Sequence, residues 1–264
     1  MTALVKIGGS VLTDKSRIFS AHAHDSAILA EDIRLSGVIP IVVHGTGSYG
    51  KAFARHYSRP GHWSNDAMVF QMTMGRIRHL QEGLLCAFRD AGVPCCPLST
   101  NALFYRDNGR LEMYSATPLR RLLACGVAPV LCGDILVDGS EHFGIVSSDA
   151  ILAAVARVSK VDDCVFATDV DGICDEGGQV LSQLAAGEVM FSHDSDRLDV
   201  TGGMQAKVAA AREIASYGAW TTIVNGRVPG RVRDALTRRP VVGTRVVVAD
   251  TAPDGRQACA PTLL

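Results

Sequence analysis

Three lysines stand beside glycine-rich stretches, and that pairing sets the chemistry to be asked of the chain. Lys6 is the one charged residue of the apolar run Ala3-Leu4-Val5-Lys6-Ile7, with Gly8-Gly9-Ser10 directly behind it. Lys51 closes the octapeptide His44-Gly45-Thr46-Gly47-Ser48-Tyr49-Gly50-Lys51, which follows the apolar run Ile39-Pro40-Ile41-Val42-Val43. Lys207 comes soon after Leu198-Asp199-Val200-Thr201-Gly202-Gly203-Met204, where a helical pattern begins. Glycine accepts positive φ and lets a ligand approach the main chain, so a glycine turn opening a helix is an anion cradle. A lysine inside a buried strand is costly unless it meets an anion, and a lysine near a helix start opposes the helix dipole. The common answer to all three positions is a phosphate-like group.

The octapeptide alone does not say which one. Gly45, Gly47 and Gly50 match the dinucleotide pattern G-x-G-x-x-G, and Gly45 to Lys51 matches a Walker A loop up to Ala52, where Ser or Thr is required. A dinucleotide site needs a second strand ending in an acidic residue about 20 positions on, but Asp66 stands in the polar run His62-Trp63-Ser64-Asn65-Asp66. A Walker A loop needs its hydroxyl to bind magnesium, and Ala52 has none. Thr168-Asp169-Val170-Asp171-Gly172 follows a strand and lacks the register and closing glutamate of a calcium loop. Lys15, in Thr13-Asp14-Lys15-Ser16, reads by itself as a solvated loop residue.

These groups must be held by strands and helices whose pattern is alternating. Strands are expected at 3–7, 39–43, 127–132, 164–167, 220–224 and 243–248. Helices are expected at 22–36, from Lys51 to about 58–61, and at 67–91, 119–124, 150–158, 204–217 and 229–237. Gly133-Asp134 falls at a strand's carboxyl end, where open α/β sheets place ligands, and a hairpin follows over 135–143. Ser147-Ser148-Asp149 has the form of a helix N-cap. On the 67–91 helix the Met-rich stripe reads as core, and Arg76, Arg78 and His79 read as surface residues.

The 264 residues are 47% hydrophobic and 20% charged, enough to bury a full core and too apolar for disorder. A net charge of −1 supplies no field for nucleic acid or an anionic membrane, so neither is an expected partner. No apolar run reaches the roughly 18 residues of a membrane span. The strand beginning at residue 3 leaves no room for a leader, and a cytoplasmic location is expected. None of the eight cysteines forms a C-x-x-C pair, which argues against a zinc or redox site and for buried free thiols.

In this order, the stretches 6–10 with 13–16, 44–50, 133–134, 148–149, 168–172 and 199–207 resemble the amino acid kinase superfamily, within it the isopentenyl phosphate kinase and fosfomycin kinase branch. The resemblance implies an α/β fold, a single three-layer αβα sandwich around a mainly parallel sheet. Its N-terminal half, about 1–160, would bind the phosphoryl acceptor and its C-terminal half, about 161–248, ATP, with 249–264 a frayed tail. It implies catalytic roles for Lys6, Lys15, Lys51, Asp149 and Lys207, with Asp149 holding the lysines by ion pairing. ATP would be met by Gly8, Gly9, Ser10, Thr168, Asp169, Asp171, Gly172, Gly202, Gly203 and Met204, with Gly8 and Gly9 donating main-chain N–H groups to the phosphoryl group. The acceptor would be met by His44, Gly45, Thr46, Gly47, Gly50, Gly133 and Asp134.

Magnesium would ride on the ATP phosphates, with no metal-ligand set in the protein. The implied reaction is γ-phosphoryl transfer to a small phosphate monoester, most like isopentenyl phosphate, by a homodimeric enzyme. A fosfomycin-like phosphonate kinase, a carboxylate or carbamate kinase, and a non-catalytic nucleotide or oxyanion binder are the alternatives. The chain departs from the branch at Lys51, where the branch has histidine, and Ser147-Ser148-Asp149 is nearer the fosfomycin kinase pattern.

Overall fold

Alternation along one strand decides which side of the molecule carries the chemistry. In β1 (Ala3–Ile7) all five residues are buried. Leu4 packs into the hydrophobic cluster on one face of the sheet, while Ala3, Val5 and Ile7 pack into the cluster on the other. Successive side chains of a strand point to opposite faces, so Lys6 shares the face of Leu4. The computed structural model describes residues 1–14, 16–50, 67–107, 110–137, 143–185 and 203–248.

β1 lies between β2 (Ile41–His44) and β9 (Asp163–Thr168), paired in parallel with each. β6 (Ala128–Cys132) and β3 (Cys95–Pro97) extend the sheet beyond β2, again in parallel. β11 (Trp220–Asn225) continues it beyond β9 in parallel, β12 (Gly243–Val246) runs antiparallel to β11, and β10 (Gln183–Leu184) forms the edge. The near-continuous apolar runs of β2, β6 and β9 fit strands covered on both faces. Two hairpins, β4 (Phe104–Asp107) with β5 (Arg110–Met113) and β7 (Asp134–Val137) with β8 (Phe143–Val146), stand apart from this sheet.

Helices cover both faces. The face of Leu4, Leu131 and Phe166 packs against Leu119 of α5 (Thr117–Ala124), Ile151, Leu152 and Val155 of α6 (Ser148–Val158), and Val208, Ala211 and Ile214 of α7 (Gly203–Ser216). The opposite face packs against Leu29 and Ile33 of α2 (Ala23–Ser36), Leu84 and Phe88 of α3 (Ala67–Asp90), and Val232 and Leu236 of α8 (Arg231–Leu236). Each fully buried Leu, Ile or Phe contributes roughly 1.5–3 kcal/mol of transfer free energy. Two short helices, α1 (Gly9–Leu12) and α4 (Thr100–Leu103), complete the described set. The result is the three-layer αβα sandwich expected of the sequence.

Parallel pairing brings the carboxyl ends of β1, β2, β6, β9 and β11 to one edge of the sheet. Gly8, Gly45, Gly133, Asp169 and Gly226 each follow one of these strands, so the motifs at 6–10, 44–50, 133–134 and 168–172 emerge there.

Several expectations change. A helical turn begins at Gly47, earlier than Lys51, and the rest of that expected helix lies outside the described residues. The last strand ends at Val246. The β4–β5 hairpin had no counterpart in the sequence reading. Burial accounts for Cys132 and Cys164 only. Cys86, Cys95 and Cys96 are half-buried, and Cys125 and Cys174 are exposed at a helix end and in a loop. Cys259 and the expected frayed tail lie outside the described residues.

Candidate active site

Lys6 and Asp149 meet because the strand face of Lys6 looks onto the start of α6. The Lys6 Nζ lies 3.0 Å from Asp149 Oδ1, with both side chains largely buried. The N-cap role in Ser147-Ser148-Asp149 falls to Ser147, whose Oγ accepts the Ala150 N–H at 3.1 Å. That leaves the Asp149 carboxylate for the lysines. Lys207, the fifth residue of α7, faces the same place and is 8% exposed. Burial pushes its pKa down to about 7, the Lys6 charge pushes the same way, and Asp149 and Asp169 push back. The amino groups of Lys6 and Lys207 therefore share one buried spot, with Asp149 against Lys6 and Asp169 within electrostatic reach, an arrangement that can receive a polyanion.

Two glycine turns sit back to back beside this spot. A Cβ at Gly9 would lie 2.5 Å from the Gly47 nitrogen, and one at Gly45 would lie 2.6 Å from the Gly9 nitrogen. Only bare backbone allows that approach. Thr13 stitches the turns together: its Oγ1 donates to the Gly9 carbonyl at 2.8 Å and accepts the Ser48 N–H at 3.0 Å. The Gly8 N–H, expected to face a phosphoryl group, is instead donated to the Ala167 carbonyl at 2.8 Å. Gly8 continues the strand pairing of β1 with β9 for one more residue, and this uses its donor. Thr46 is buried, and Gly50 packs onto its side chain, which a Cβ would strike.

The turn after β9 is locked to the turn after β1. Asp169 Oδ1 accepts the Ser10 hydroxyl at 2.7 Å and the Thr168 hydroxyl at 3.2 Å. Asp171 is held by Asn225 Nδ2 at 2.9 Å and Arg231 Nη1 at 2.6 Å, and these bonds keep its carboxyl below the usual range. Its observed work is to anchor the loop. Gly172 lies against Thr244, whose Oγ1 a Cβ would approach to 2.7 Å. Gly203 and Met204 open α7. Arg227 Nη2 donates to the Ser10 carbonyl at 2.6 Å while its Nε lies 3.2 Å from Asp25.

On the side expected to meet the acceptor, two residues are enclosed. His44 is fully buried, its Nδ1 is 3.0 Å from the Gly45 carbonyl, and burial pushes its pKa down to about 4, so it is neutral. Asp134 is fully buried too, and its carboxylate receives Arg78 Nη2 at 2.7 Å. Burial raises the Asp134 pKa and Arg78 opposes that rise. Arg78 also donates to Cys132 Sγ at 3.0 Å and contacts Ser99 Oγ. The surface role expected of Arg78 is thus overturned: it ties α3 to the end of β6. Arg76 and His79 are exposed, as expected. Gly133 packs against the Ser148 nitrogen and the Thr46 side chain.

Lys15, Lys51 and Gly202 lie outside the described residues. Sequence reasoning missed the ties made by Arg78 and Arg227. Among the described residues no three His, Cys, Asp or Glu side chains gather to hold a metal ion, and no helix is long and apolar enough to cross a membrane.

The model of the amino acid kinase family matches residues 1–225. The chain belongs to the amino acid kinase family. Within the family, the isopentenyl phosphate kinase of Thermoplasma acidophilum is 32% identical, the match covering 91% of this chain and 98% of that one. That of Methanothermobacter thermautotrophicus is 27% identical over 92% and 98%. An isopentenyl phosphate kinase known from X-ray structures superposes with a TM-score of 0.80 over 94% of this chain and all of that one, at 24% identity, and shares the fold.

Proposed function

We propose that this amino acid kinase transfers the γ-phosphoryl group of ATP to a small phosphate monoester, with isopentenyl phosphate the first acceptor to test. The observation that carries the reading is the convergence of Lys6 and Lys207 on one buried spot beside Asp149. Phosphoryl transfer asks mainly for positioning and for positive charge around the migrating group, and two buried ammonium groups supply it in a low-dielectric setting. A pure binder of nucleotides or oxyanions has no need of paired lysines around a single phosphoryl position.

In this reading Lys6 and Lys207 flank the transferring group, and Asp149 keeps both ammonium groups aimed at it. The Gly9 and Ser10 turn lies under the nucleotide phosphates. Thr168, Asp169, Asp171, Gly172, Gly202, Gly203 and Met204 form the nucleotide side. Gly45, Thr46, Gly47, Gly50 and Gly133 cradle the acceptor's anionic group, with Lys15 and Lys51 adding charge. His44 and Asp134, both enclosed, support that cradle from beneath. Magnesium is carried by the ATP phosphates, since the carboxylates beside the lysines, Asp149 and Asp169, are engaged with Lys6 and Ser10. The N-terminal half serves the acceptor and the C-terminal half ATP, and we assign the enzyme to the cytoplasm as a homodimer.

Lys51, standing where the branch has histidine, keeps a phosphonate acceptor in view as the second reading, because a lysine binds either anion as a point charge. ADP release measured against alkyl phosphates and phosphonates tests both. Acceptor-dependent ADP release with isopentenyl phosphate supports the proposal. Slow ATP turnover unchanged by every anionic acceptor sinks it.

A further inference from the structure

The turns after β1, β9 and β11 meet at the carboxyl edge of the sheet, and Arg227, in the last of them, reaches back to the first. Its Nη2 donates to the Ser10 carbonyl at 2.6 Å and lies 3.2 Å from His22 Nδ1. Its Nε lies 3.2 Å from Asp25 Oδ2 of α2. The base of the side chain is fixed too. The Arg227 N–H donates to Asn225 Oδ1 at 3.0 Å, and Asn225 Nδ2 donates to Asp171 Oδ1 at 2.9 Å. A planar guanidinium engaged at several corners holds a geometry that an ammonium on a flexible stem does not.

The residue that Arg227 grips carries the next link. Ser10 donates its hydroxyl to Asp169 Oδ1 at 2.7 Å, so one residue of α1 has its carbonyl on the guanidinium and its side chain on the carboxylate. Asp169 in turn acts on Lys207, favouring its charged form together with Asp149 and against Lys6. The sheet itself does not need this clamp. The Gly8 N–H donates to the Ala167 carbonyl and the Gly226 N–H to the Thr168 carbonyl, both at 2.8 Å, and these bonds already join the three strand ends. What Arg227 adds is the orientation of Ser10, one step beyond the last strand pairing.

We infer that Arg227 is a positioning residue for the nucleotide side: by holding the Ser10 carbonyl it keeps the Ser10 hydroxyl on Asp169, and so fixes the Asp169 carboxylate within reach of Lys207. The catalytic consequence rests on the kinase reading, and the clamp itself rests on the contacts of Arg227 and Ser10. Misplacing a reacting group by about 1 Å costs up to about 10²-fold in rate, so loosening a carboxylate one residue removed from the lysines is expected to cost less.

Arg227→Met removes the donors and keeps an apolar stem. The expected result is kcat/KM for ATP lowered by about 5–20-fold with KM for the acceptor within about twofold. The acceptor is spared because Thr13, not Arg227, ties Gly9 to the turn after β2. Arg227→Lys, gentler on folding, gives the same split at about 2–5-fold. Ser10→Ala cuts the clamp one link further on, and in that background Arg227→Met adds less than about twofold, because its route to Asp169 is already broken. Equal losses in both backgrounds, or wild-type kcat/KM in both Arg227 variants, overturn the inference. Amide exchange reads the clamp without any substrate. The Val11 and Leu12 N–H groups, bonded to the Gly8 carbonyl at 3.1 and 3.3 Å, exchange faster in Arg227→Met at unchanged exchange in β1 and β6. Unchanged exchange at Val11 and Leu12 overturns the clamp whatever the assay shows. If wild type transfers phosphate to no acceptor while exchange quickens, the kinase reading fails and the clamp stands.

Discussion

The Lys6 ammonium lies 3.0 Å from Asp149 Oδ1, and burial, with the same ammonium acting in the same direction, depresses the pKa of Lys207. Holding two lysines in one buried place costs stability, either as a desolvated ammonium or as a Lys207 that gives up its proton. In the proposed reaction a polyanion at this spot would favour the charged form of both, so the feature that costs stability would be the one that serves the transition state.

The lysines should separate stability from rate. Lys207→Met removes a buried charge and keeps most of the volume, so Tm of the ligand-free protein should rise, by about 2–4 °C per kcal/mol gained. The same substitution should lower kcat by about 10²-fold or more, as should Lys6→Ala. Steady-state kinetics beside thermal melts check this. A kcat within about threefold of wild type for either variant means the role assignment is wrong.

The Lys207 pKa gives a pH signature with a definite sign. In the folded, ligand-free state it is about 7, against an ordinary 10.5. Between those values the unfolded chain binds the proton and the folded chain does not, so stability from this group climbs as pH rises through that window. Below pH 7 both states are protonated and the group adds no slope. Lys207→Met should lose the climb. A bound nucleotide restores the charged form, so ATP binding at pH 8 should take up a proton. Calorimetry in two buffers of different ionisation enthalpy measures it, and identical heats in both would contradict the assignment.

Much of this site was readable along the chain because its signals are local. Lys6 announced itself as one charge in a buried strand, and the packing of Leu4 and Val5 then showed which face it shares. Ser147-Ser148-Asp149 contained both a cap and a charge, and only packing showed that Ser147 takes the first role. Arg78 was misread because its partner Asp134 lies 56 residues away and the local pattern of α3 is that of any amphipathic helix. Arg227 reaches a carbonyl 217 residues distant, which no window of sequence contains. The Gly8 amide looked free for a ligand until the register of β1 against β9 assigned it to Ala167.

Arg78 and Asp134 should behave as a buried pair. Arg78→Ala leaves a carboxylate of 0% side-chain exposure without its cation, a loss of about 3–5 kcal/mol. Burial already raises the Asp134 pKa, and without Arg78 it rises further. A folded pKa raised above the unfolded one confers stability at low pH that is lost as pH rises. The variant should thus fall further below wild type at pH 8 than at pH 5, and Asp134→Asn added to it should recover part of the loss. Urea unfolding at both pH values decides. A deficit independent of pH would mean the pair's charge is not what matters.

Gly9 and Gly75 make a matched contrast. A Cβ at Gly9 meets backbone atoms of Gly47 at 2.5 and 2.7 Å, which cannot move without opening the other glycine turn. Gly9→Ala should destabilise by about 1–3 kcal/mol and lower kcat/KM for both substrates. Gly75 lies on the exposed side of α3 with nothing within 4 Å of its would-be Cβ. Gly75→Ala should stabilise by up to about 1 kcal/mol with activity intact. A tolerated Gly9→Ala would show that the two turns do not depend on each other.

Lys51 tests which half of the chain meets the acceptor. It follows the turn that starts at Gly45, where the related branch carries histidine. Lysine contacts an anion as a flexible point charge, whereas imidazole sits closer, on a stiffer stem, and changes charge near neutral pH. Lys51→His should therefore keep phosphoryl transfer and shift the ratio of kcat/KM between a phosphate and a phosphonate acceptor, by about 3–10-fold, the scale of roughly one side-chain contact. It should also bring a new ionisation into the pH dependence of kcat/KM for the acceptor between about pH 5 and 8. KM for ATP should hold steady. A change confined to KM for ATP would place Lys51 on the nucleotide side and remove it from the acceptor cradle.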